Sequence, residues 1–366
     1  MAKPTCSVFR QENAFSDGGL PSRVTVVIVH YNGAARLERC LRSVLQSRYA
    51  NVGIIVVDNC SPDHSGLHVS ALFPEVKFVF SDRNRGYAAG CNTGAAHADG
   101  DYLVFLNNDT TVHPDWLTHL VSRMKASNLL VATPKIVVPG EPRIINAAGG
   151  CHDIFGTAWT RGNGEVDHGQ YDVEDRVFFG SACLAVQQAA WRDVGPYDER
   201  YFMYVEDVDW CWRAISRGHD VLYVPTSLVF HEWSAPGRRD ARIIGLIERN
   251  SLRSLLKNHD APLVLVALPI AYLFRFLRAL VFLGRRPDIS RAIARSIGWN
   301  IQHLGDTWHA RGELSASPQS KGSNPVNHMS KLPFETLLIF RKITHPHQTL
   351  LSSGDAEPSP SFARGE

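Results

Sequence analysis

Two acidic groups in this chain have the residue types and spacing to do chemistry. The first is Asn107-Asn108-Asp109, which closes an apolar run from Tyr102 to Leu106. That run has the length and pattern of a central parallel strand covered on both faces. Ligands in open α/β sheets bind at the carboxyl ends of such strands, so an ionised aspartate there can hold a cation or accept hydrogen bonds from a ligand. Its alternative use is as a helix cap, because Asp109 or Thr110 could cap a helix opening at Pro114 or Asp115. The second group is Glu206-Asp207-Val208-Asp209. If a helix opens here, Trp210, Cys211, Ala214 and Ile215 face a core, and Glu206 and Asp207 fall in the first turn, where the helix dipole favours acids. Carboxylates this close also raise one another's pKa, which suits a base that takes a proton from a hydroxyl.

The elements that must position these groups are legible as periodicity. Val24 to His30 is a β-branched run and the first strand, Val52 to Val57 the second, Val76 to Phe80 the third, and the run before Asn107 the fourth. Between the first two, Arg36 to Arg48 places Leu37, Leu41, Val44 and Leu45 on one helical face. A helix of small residues follows Gly86. Four strands alternating with helices make a doubly wound sheet under the right-handed crossover rule. Dinucleotide chemistry is disfavoured. The first turn, HYNGAARL, holds a single glycine, Gly33, and Gly86, Gly90 and Gly94 repeat every four residues, a helix-packing period rather than a phosphate cradle.

Composition narrows the partners. The chain has 366 residues, 44% of them hydrophobic, enough for one large domain with an appendage or for two domains. Its 38 basic and 36 acidic residues leave a net charge of +2, so no global field attracts nucleic acid. Seven scattered cysteines without a CxxC pair argue against a disulfide framework or a zinc site and fit a reducing cytoplasm. The first 22 residues are polar, with no apolar signal core.

The stretches VTVVIVHYNG, IIVVDNCSPD, NRGYAAGCNTG, DYLVFLNNDTTVHPDW, FGSACLAV, GPYDERYFMYVEDVDWCWRAISRG and VLYVPTSLVFHEW together resemble the inverting family 2 glycosyltransferases of the GT-A fold. The branch they are most similar to holds the rhamnosyltransferase-like enzymes that decorate bacterial surface polysaccharides. The resemblance implies a Rossmann-like, doubly wound mixed α/β sheet. It implies transfer of a single sugar, rhamnose-like or a similar hexose, from a nucleotide-diphosphate donor to a glycan or lipid-linked acceptor with inversion. Asp207 then matches the catalytic base, with Glu206 orienting the site and Asp209 structural. Asp58, Asn84 and Gly86 match the nucleotide pocket, and Gly180-Ser181-Ala182 the segment near donor sugar and acceptor. Asn107-Asn108-Asp109 resembles a degenerate DxD motif, with Asn108 beside the donor and Asp109 on a divalent metal, manganese or magnesium. His231 matches a histidine that joins this metal site. Two other readings stay open, a sugar-phosphate nucleotidyltransferase and a glycosyltransferase-like binding module without catalysis. HYNGAARL is a poor match to the basic loop of the former, and Asp109, Glu206 and Asp207 argue against the latter.

Beyond Trp233 composition alone serves. Arg242 to Lys257 reads as a basic helix that contains the pair Arg249-Asn250. Ala261 to Leu283 is an apolar stretch long enough to span a bilayer but interrupted by Pro269, Arg275 and Arg278. The expectation is a helix in the membrane interface, with Arg275, Arg278, Arg285 and Arg286 snorkelling toward anionic headgroups. The chain thus divides into a flexible tail over 1–22, a glycosyltransferase domain over 23–235, a helical, membrane-associated extension over 236–314 and a mostly disordered tail over 315–366. Its expected place is cytoplasmic, peripheral on the inner face of a membrane. Arg161 to Arg176, glycine-rich and acidic, is expected to be a mobile loop over the site.

Overall fold

The computed structural model describes residues 21–232, 240–316 and 325–330. Most of the two expected tails, including the stretch LPFETLLIFRKI, and Trp233 lie outside the described residues. The centre of the sheet is β1 (Val24–His30), buried along its whole length. Its side chains alternate between two cores, which is why the run shows no polar face. Val24, Val26 and Ile28 meet Leu37, Leu41 and Val44 of α1 (Ala34–Leu45), while Val27 and Val29 meet Ala88 and Cys91 of α3 (Gly86–Ala96). The four-residue glycine period lets α3 approach the sheet, since a Cβ at Gly90 would lie 2.6 Å from Val29 and one at Gly94 would overlap Val27. Leu45, expected on the buried face of α1, is 41% exposed, because the helix ends there and Cys40 fills the inner face instead.

Around β1 the parallel strands are β2 (Val52–Asp58) and β3 (Lys77–Phe80) on one side and β4 (Tyr102–Asn107) on the other. β2 and β3 are joined through α2 (Ser65–Leu72). Beyond β4 the sheet becomes mixed. β11 (Cys183–Gln187) runs antiparallel between β4 and β6 (Val131–Val138), and β12 (Val221–His231) pairs parallel with β6. The full order is β10-β12-β6-β11-β4-β1-β2-β3, with β10 at Asp175–Val177, β5 (Thr110–Val112) on β12 and β7 (Ile144–Ala147) on β6. β8 (Gly150–His152) and β9 (Ala158–Thr160) form a separate hairpin. The helix expected at Pro114 or Asp115 begins at Trp116, as α4 (Trp116–Ser127). β5 intervenes between Asp109 and that helix, so Asp109 does not cap it. α5 (Gln188–Val194) and α6 (Glu206–Ser216) complete the second core.

The segment expected to be a mobile loop is tied down. Lys135, buried in β6, donates to Asp167 and Asp172 at 2.7 Å each, Arg161 pairs with Asp175 and Arg123 with Glu174. A buried ammonium needs carboxylates, and this segment supplies them.

Four helices follow: α7 (Ala241–Asn258), α8 (Ala261–Leu283), α9 (Pro287–Gln302) and α10 (Leu304–Ala316). α8 turns Val264, Ala267, Ala271 and Ala279 inward and leaves Leu265, Val266, Leu273, Phe276, Leu277, Leu280, Val281 and Leu283 exposed. Arg275 and Arg278 do not snorkel. Both turn inward onto Glu248 of α7, Arg275 Nε lying 2.9 Å from Glu248 Oε2. The buried carboxylate explains the reversal, since Glu248 would otherwise be a charge without a partner. Arg286 pairs instead with Asp288 at 2.7 Å.

Candidate active site

Asp109 and His231 are brought together by strand pairing. β12 breaks its register on β6 between Val224 and Leu228 and then pairs with β5, setting His231 opposite Thr110. Glu232 N–H donates to Asp109 O at 3.0 Å and locks that register. His231 Nε2 consequently lies 3.2 Å from Asp109 Oδ1. The other ring nitrogen, Nδ1, is 3.0 Å from Asn146 Oδ1 of β7, which accepts its proton and leaves Nε2 with a lone pair. Asp109 Oδ1 is buried and has no hydrogen-bond partner. At 3.2 Å the Asp109 oxygen and the His231 ring nitrogen can share a proton or a cation between them. One carboxylate oxygen and one oriented imidazole fit a divalent cation that takes its remaining ligands from water and substrate phosphates. Among the described residues no cluster of three or more His, Cys, Asp or Glu offers a fuller site.

Asn108 points toward β1. Its Nδ2 donates to His30 Nδ1 at 3.0 Å, and His30 Nε2 meets Ser65 Oγ at 2.7 Å. Burial lowers the His30 pKa, so the ring stays neutral and rigidly placed although Asp58 and Asp63 pull the other way. His30 was not read as a site residue from the sequence. Its signal was position: it ends the strand beside the one that ends in Asn107.

Asp58 is buried, with Oδ1 accepting Ser61 N–H at 2.8 Å and its carboxylate pressed on Gly66. In this structure it therefore holds the turn after β2. Asn84 Oδ1 accepts Gly86 N–H and Asn59 Nδ2, both at 2.9 Å, shaping the entry to α3. Gly86 itself sits at φ 85°, and a Cβ there would collide with Phe202 O.

The second acidic group starts α6 as expected from its spacing. β11 lies antiparallel to β4 with Cys183 opposite Leu106, and Asn107 N–H donates to Ala182 O at 3.0 Å, which sets Ser181 beside Asn108. Gly180, one residue earlier, lies against the Cys211 thiol, one helical turn beyond Asp207. Ser181 thus lies between a residue packed on α6 and one bonded to the end of β4. Glu206 is 6% exposed, and its Oε2 has no hydrogen-bond partner. Burial, then the neighbouring Asp207 charge, pushes the Glu206 pKa well above the usual carboxylate range, so it holds a proton. Asp207 is pushed up to about 7, chiefly by burial, against the pull of Val208 N–H on its Oδ1 at 2.8 Å. Asp209 differs. Burial would raise it, but Lys257 and Arg213 outweigh that and keep it ionised. Tyr201 OH and Asn258 also donate to it.

The matches to known proteins extend over the same residues. The family model for glycosyl transferase family 2 matches 25–172, and that for glycosyl transferase family group 2 matches 102–283. The N-acetylglucosaminyl-diphospho-decaprenol L-rhamnosyltransferase of Mycobacterium tuberculosis is 28% identical, over 59% of this chain and 78% of that protein. The pre-mycofactocin glycosyltransferase of the same organism is 31% identical over 57% of this chain but only 42% of its own length. Among solved structures, GalNAc-T7 with UDP, GalNAc and Mn2+ superposes with a TM-score of 0.56 at 18% identity, covering 83% of this chain and 59% of that one. S. aureus TarS 1-349 gives 0.51 at 15% identity, covering 80% and 82%. With its mixed sheet, its carboxyl-edge site and these matches, the chain belongs to glycosyltransferase family 2 and has the GT-A fold.

Proposed function

We propose that this protein transfers a single sugar, rhamnose or a similar hexose, from a nucleotide-diphosphate donor to a glycan or lipid-linked acceptor, with inversion, in cell-surface polysaccharide synthesis. The observation that carries the reading is a carboxylate raised to about 7 at the start of α6, together with the Asp109–His231 pair at the carboxyl edge of the sheet. In an inverting displacement the acceptor hydroxyl attacks the anomeric carbon from the face opposite the leaving diphosphate. Asp207 takes the hydroxyl proton as the new C–O bond forms and the bond to the diphosphate oxygen breaks. Glu206, protonated, adds no second negative charge beside the base. Asp109 and His231 would hold a manganese or magnesium ion, whose charge neutralises the departing diphosphate. Asn108 and Ser181 border the donor sugar, while Asp58, Asn84 and Gly86 wall the nucleotide side.

Membrane attachment at the inner face belongs to the same reading. α8 is the one described helix long and apolar enough to cross a membrane, and its outward side is wholly apolar over eight large side chains. The proposal sets that side into the membrane interface, where a lipid-linked acceptor presents its sugar. The test is a screen of nucleotide sugars for manganese-dependent donor hydrolysis and transfer. Release of nucleoside diphosphate from one donor supports the reading. Formation of a nucleotide sugar from a sugar phosphate would instead make the protein a nucleotidyltransferase, and a donor that binds without turnover would make it a binding module.

A further inference from the structure

α7 carries Arg249-Asn250, and the side chains have a defined task. Asn250 is fully buried. Its Nδ2 faces three main-chain carbonyls, Tyr201 O at 2.9 Å, Met203 O at 3.0 Å and Tyr204 O at 2.7 Å. Its Oδ1 accepts from Arg249 Nε at 2.9 Å. Only one amide orientation satisfies both sides, because a guanidinium can only donate and a carbonyl can only accept. Arg249 is fixed in turn. Nη2 donates to Tyr201 O at 2.9 Å and Arg200 O at 3.2 Å, and the guanidinium lies 4.7 Å from the Trp299 ring centroid.

Those carbonyls belong to the turn that delivers α6. Phe202, Tyr204 and Val205 all have left-handed backbones, with φ of 64°, 68° and 71°. None is glycine, and for a β-branched valine that region is an outlier. Each such residue costs about 1–3 kcal/mol and persists only where its surroundings over-determine it. On one side Ala88 N–H donates to Phe202 O at 3.2 Å, with Gly86 pressed against the same carbonyl. On the other side stands the Asn250 amide. Without its N–H groups, three carbonyl oxygens that converge on one buried spot would lose their shared donor, although Tyr201 O would keep Arg249 Nη2. Val205 is followed directly by Glu206 and Asp207.

We propose that Asn250 is a positioning residue that sets the aim of Asp207 by holding the Tyr201–Val205 turn in its left-handed course. The inference rests on the reading of Asp207 as the base. It makes the C-terminal helices part of the catalytic apparatus: α7 reaches the base through main-chain carbonyls, without touching substrate.

The experiment compares Asn250→Ala, Asn250→Asp, Asp207→Asn and the Asn250→Ala/Asp207→Asn double variant in the full chain. Turnover, donor KM, melting temperature and amide hydrogen exchange over 202–208 are read for each. A misaimed reacting group costs on the order of 100-fold, so Asn250→Ala should lower kcat at least ~30-fold with donor KM within about threefold. Exchange over 202–208 should rise while the core stays protected. Asn250→Asp should behave alike despite its equal volume, because a carboxylate meets the three carbonyls with like charge. The double variant should be no slower than Asp207→Asn alone, since there is no base left to misplace. Turnover within about threefold of the parent, a loss confined to KM, or unchanged exchange in Asn250→Ala overturns the proposal. Should Asp207→Asn stay active, the reading of the base fails, and with it the aim assigned to Asn250; the exchange data then still separate a held turn from a free one. If Asn250→Ala does not fold, Arg249→Met, which frees the amide to rotate, carries the same expectations.

Discussion

Asp207→Asn should make the protein slower and more stable at once. The activity side follows from the base role: removing a positioned general base costs roughly 10²- to 10⁴-fold, about 3–5 kcal/mol of barrier, at nearly unchanged donor affinity. The stability side follows from burial. The Asp207 carboxyl ionises near 7 in the folded protein against an ordinary value of 3.8. A raised carboxyl favours the neutral form in the fold, so its contribution is full below pH 4 and is lost as pH climbs from about 4 to 7. At about 1.4 kcal/mol per tenfold in the proton equilibrium, the folded protein gives up on the order of 2–4 kcal/mol by pH 8. Asparagine has no charge to bury. Asp207→Asn should therefore melt several degrees above the parent at pH 8 and close to it at pH 4, while kcat of the parent rises with pH through about 7. Calorimetry at the two pH values, paired with transfer rates across pH 5 to 9, gives both halves. A variant that keeps its turnover refutes the base; one that loses turnover but melts no higher at pH 8 refutes the strained charge.

Three further outcomes follow from the geometry. Asp109→Ala should abolish manganese-dependent nucleotide binding in calorimetric titration, and His231→Ala should weaken it; equal binding by Asp109→Ala would remove the metal site from this edge of the sheet. Glu248→Ala leaves two inward arginines without their carboxylate and should cost roughly 3–5 kcal/mol in denaturant unfolding, whereas a loss under about 1 kcal/mol would mean that α8 is held by packing alone. The double substitution Phe276→Ser/Leu280→Ser should lower liposome binding at least ~100-fold, since each buried large apolar side chain contributes about 1.5–3 kcal/mol. High salt should have little effect on that binding, because Arg275 and Arg278 are turned away from the headgroups; salt-released protein would restore the electrostatic account.

How much of this was legible in the sequence depended on range. β1, β2 and β4 are covered on both faces, so each reads as an unbroken apolar run, and the groups at their carboxyl ends could be placed from the strands alone. The first turn of α6 was equally local. What pairing across distant segments decides had no local signal: only the family resemblance set His231 with Asp109, and neither the β12 register break that joins them nor Asn146 behind the imidazole could be read. Two misreadings did leave signals. Lys135 stands inside the apolar run VATPKIVV, and a lysine there requires carboxylates from elsewhere, which the acidic segment 161–176 supplied. On α8, Arg275 and Arg278 share a face with Ala267, Ala271 and Ala279. Small residues mark the side that packs closely, so the arginines were due to point inward and the large side chains outward.

The domain boundary expected near residue 235 does not separate the energetics, which run across it. Asp209, in the first turns of α6, is wholly buried and stays ionised because Lys257 of α7 lies 2.7 Å away. Asp198, just before that turn, takes Arg253 at 2.8 Å and Lys257 at 3.1 Å. Arg213 also reaches Asp209, yet it comes from α6 itself and cannot satisfy Asp198 and Asp209 together. Removing α7 would take Arg253 and Lys257 from Asp198 and leave Asp209 to Arg213, a cost of several kcal/mol beside the turn before Asp207, large against the roughly 5–15 kcal/mol of total stability of a domain. Along that one helix Glu248 holds α8, Asn250 holds the turn before Asp207, and Arg253 and Lys257 hold the acids around it. A helix with so many fixed attachments moves as a unit. Displacing α8 therefore has a direct mechanical route to Asp207, the proposed base, through Glu248 and two residues of α-helix.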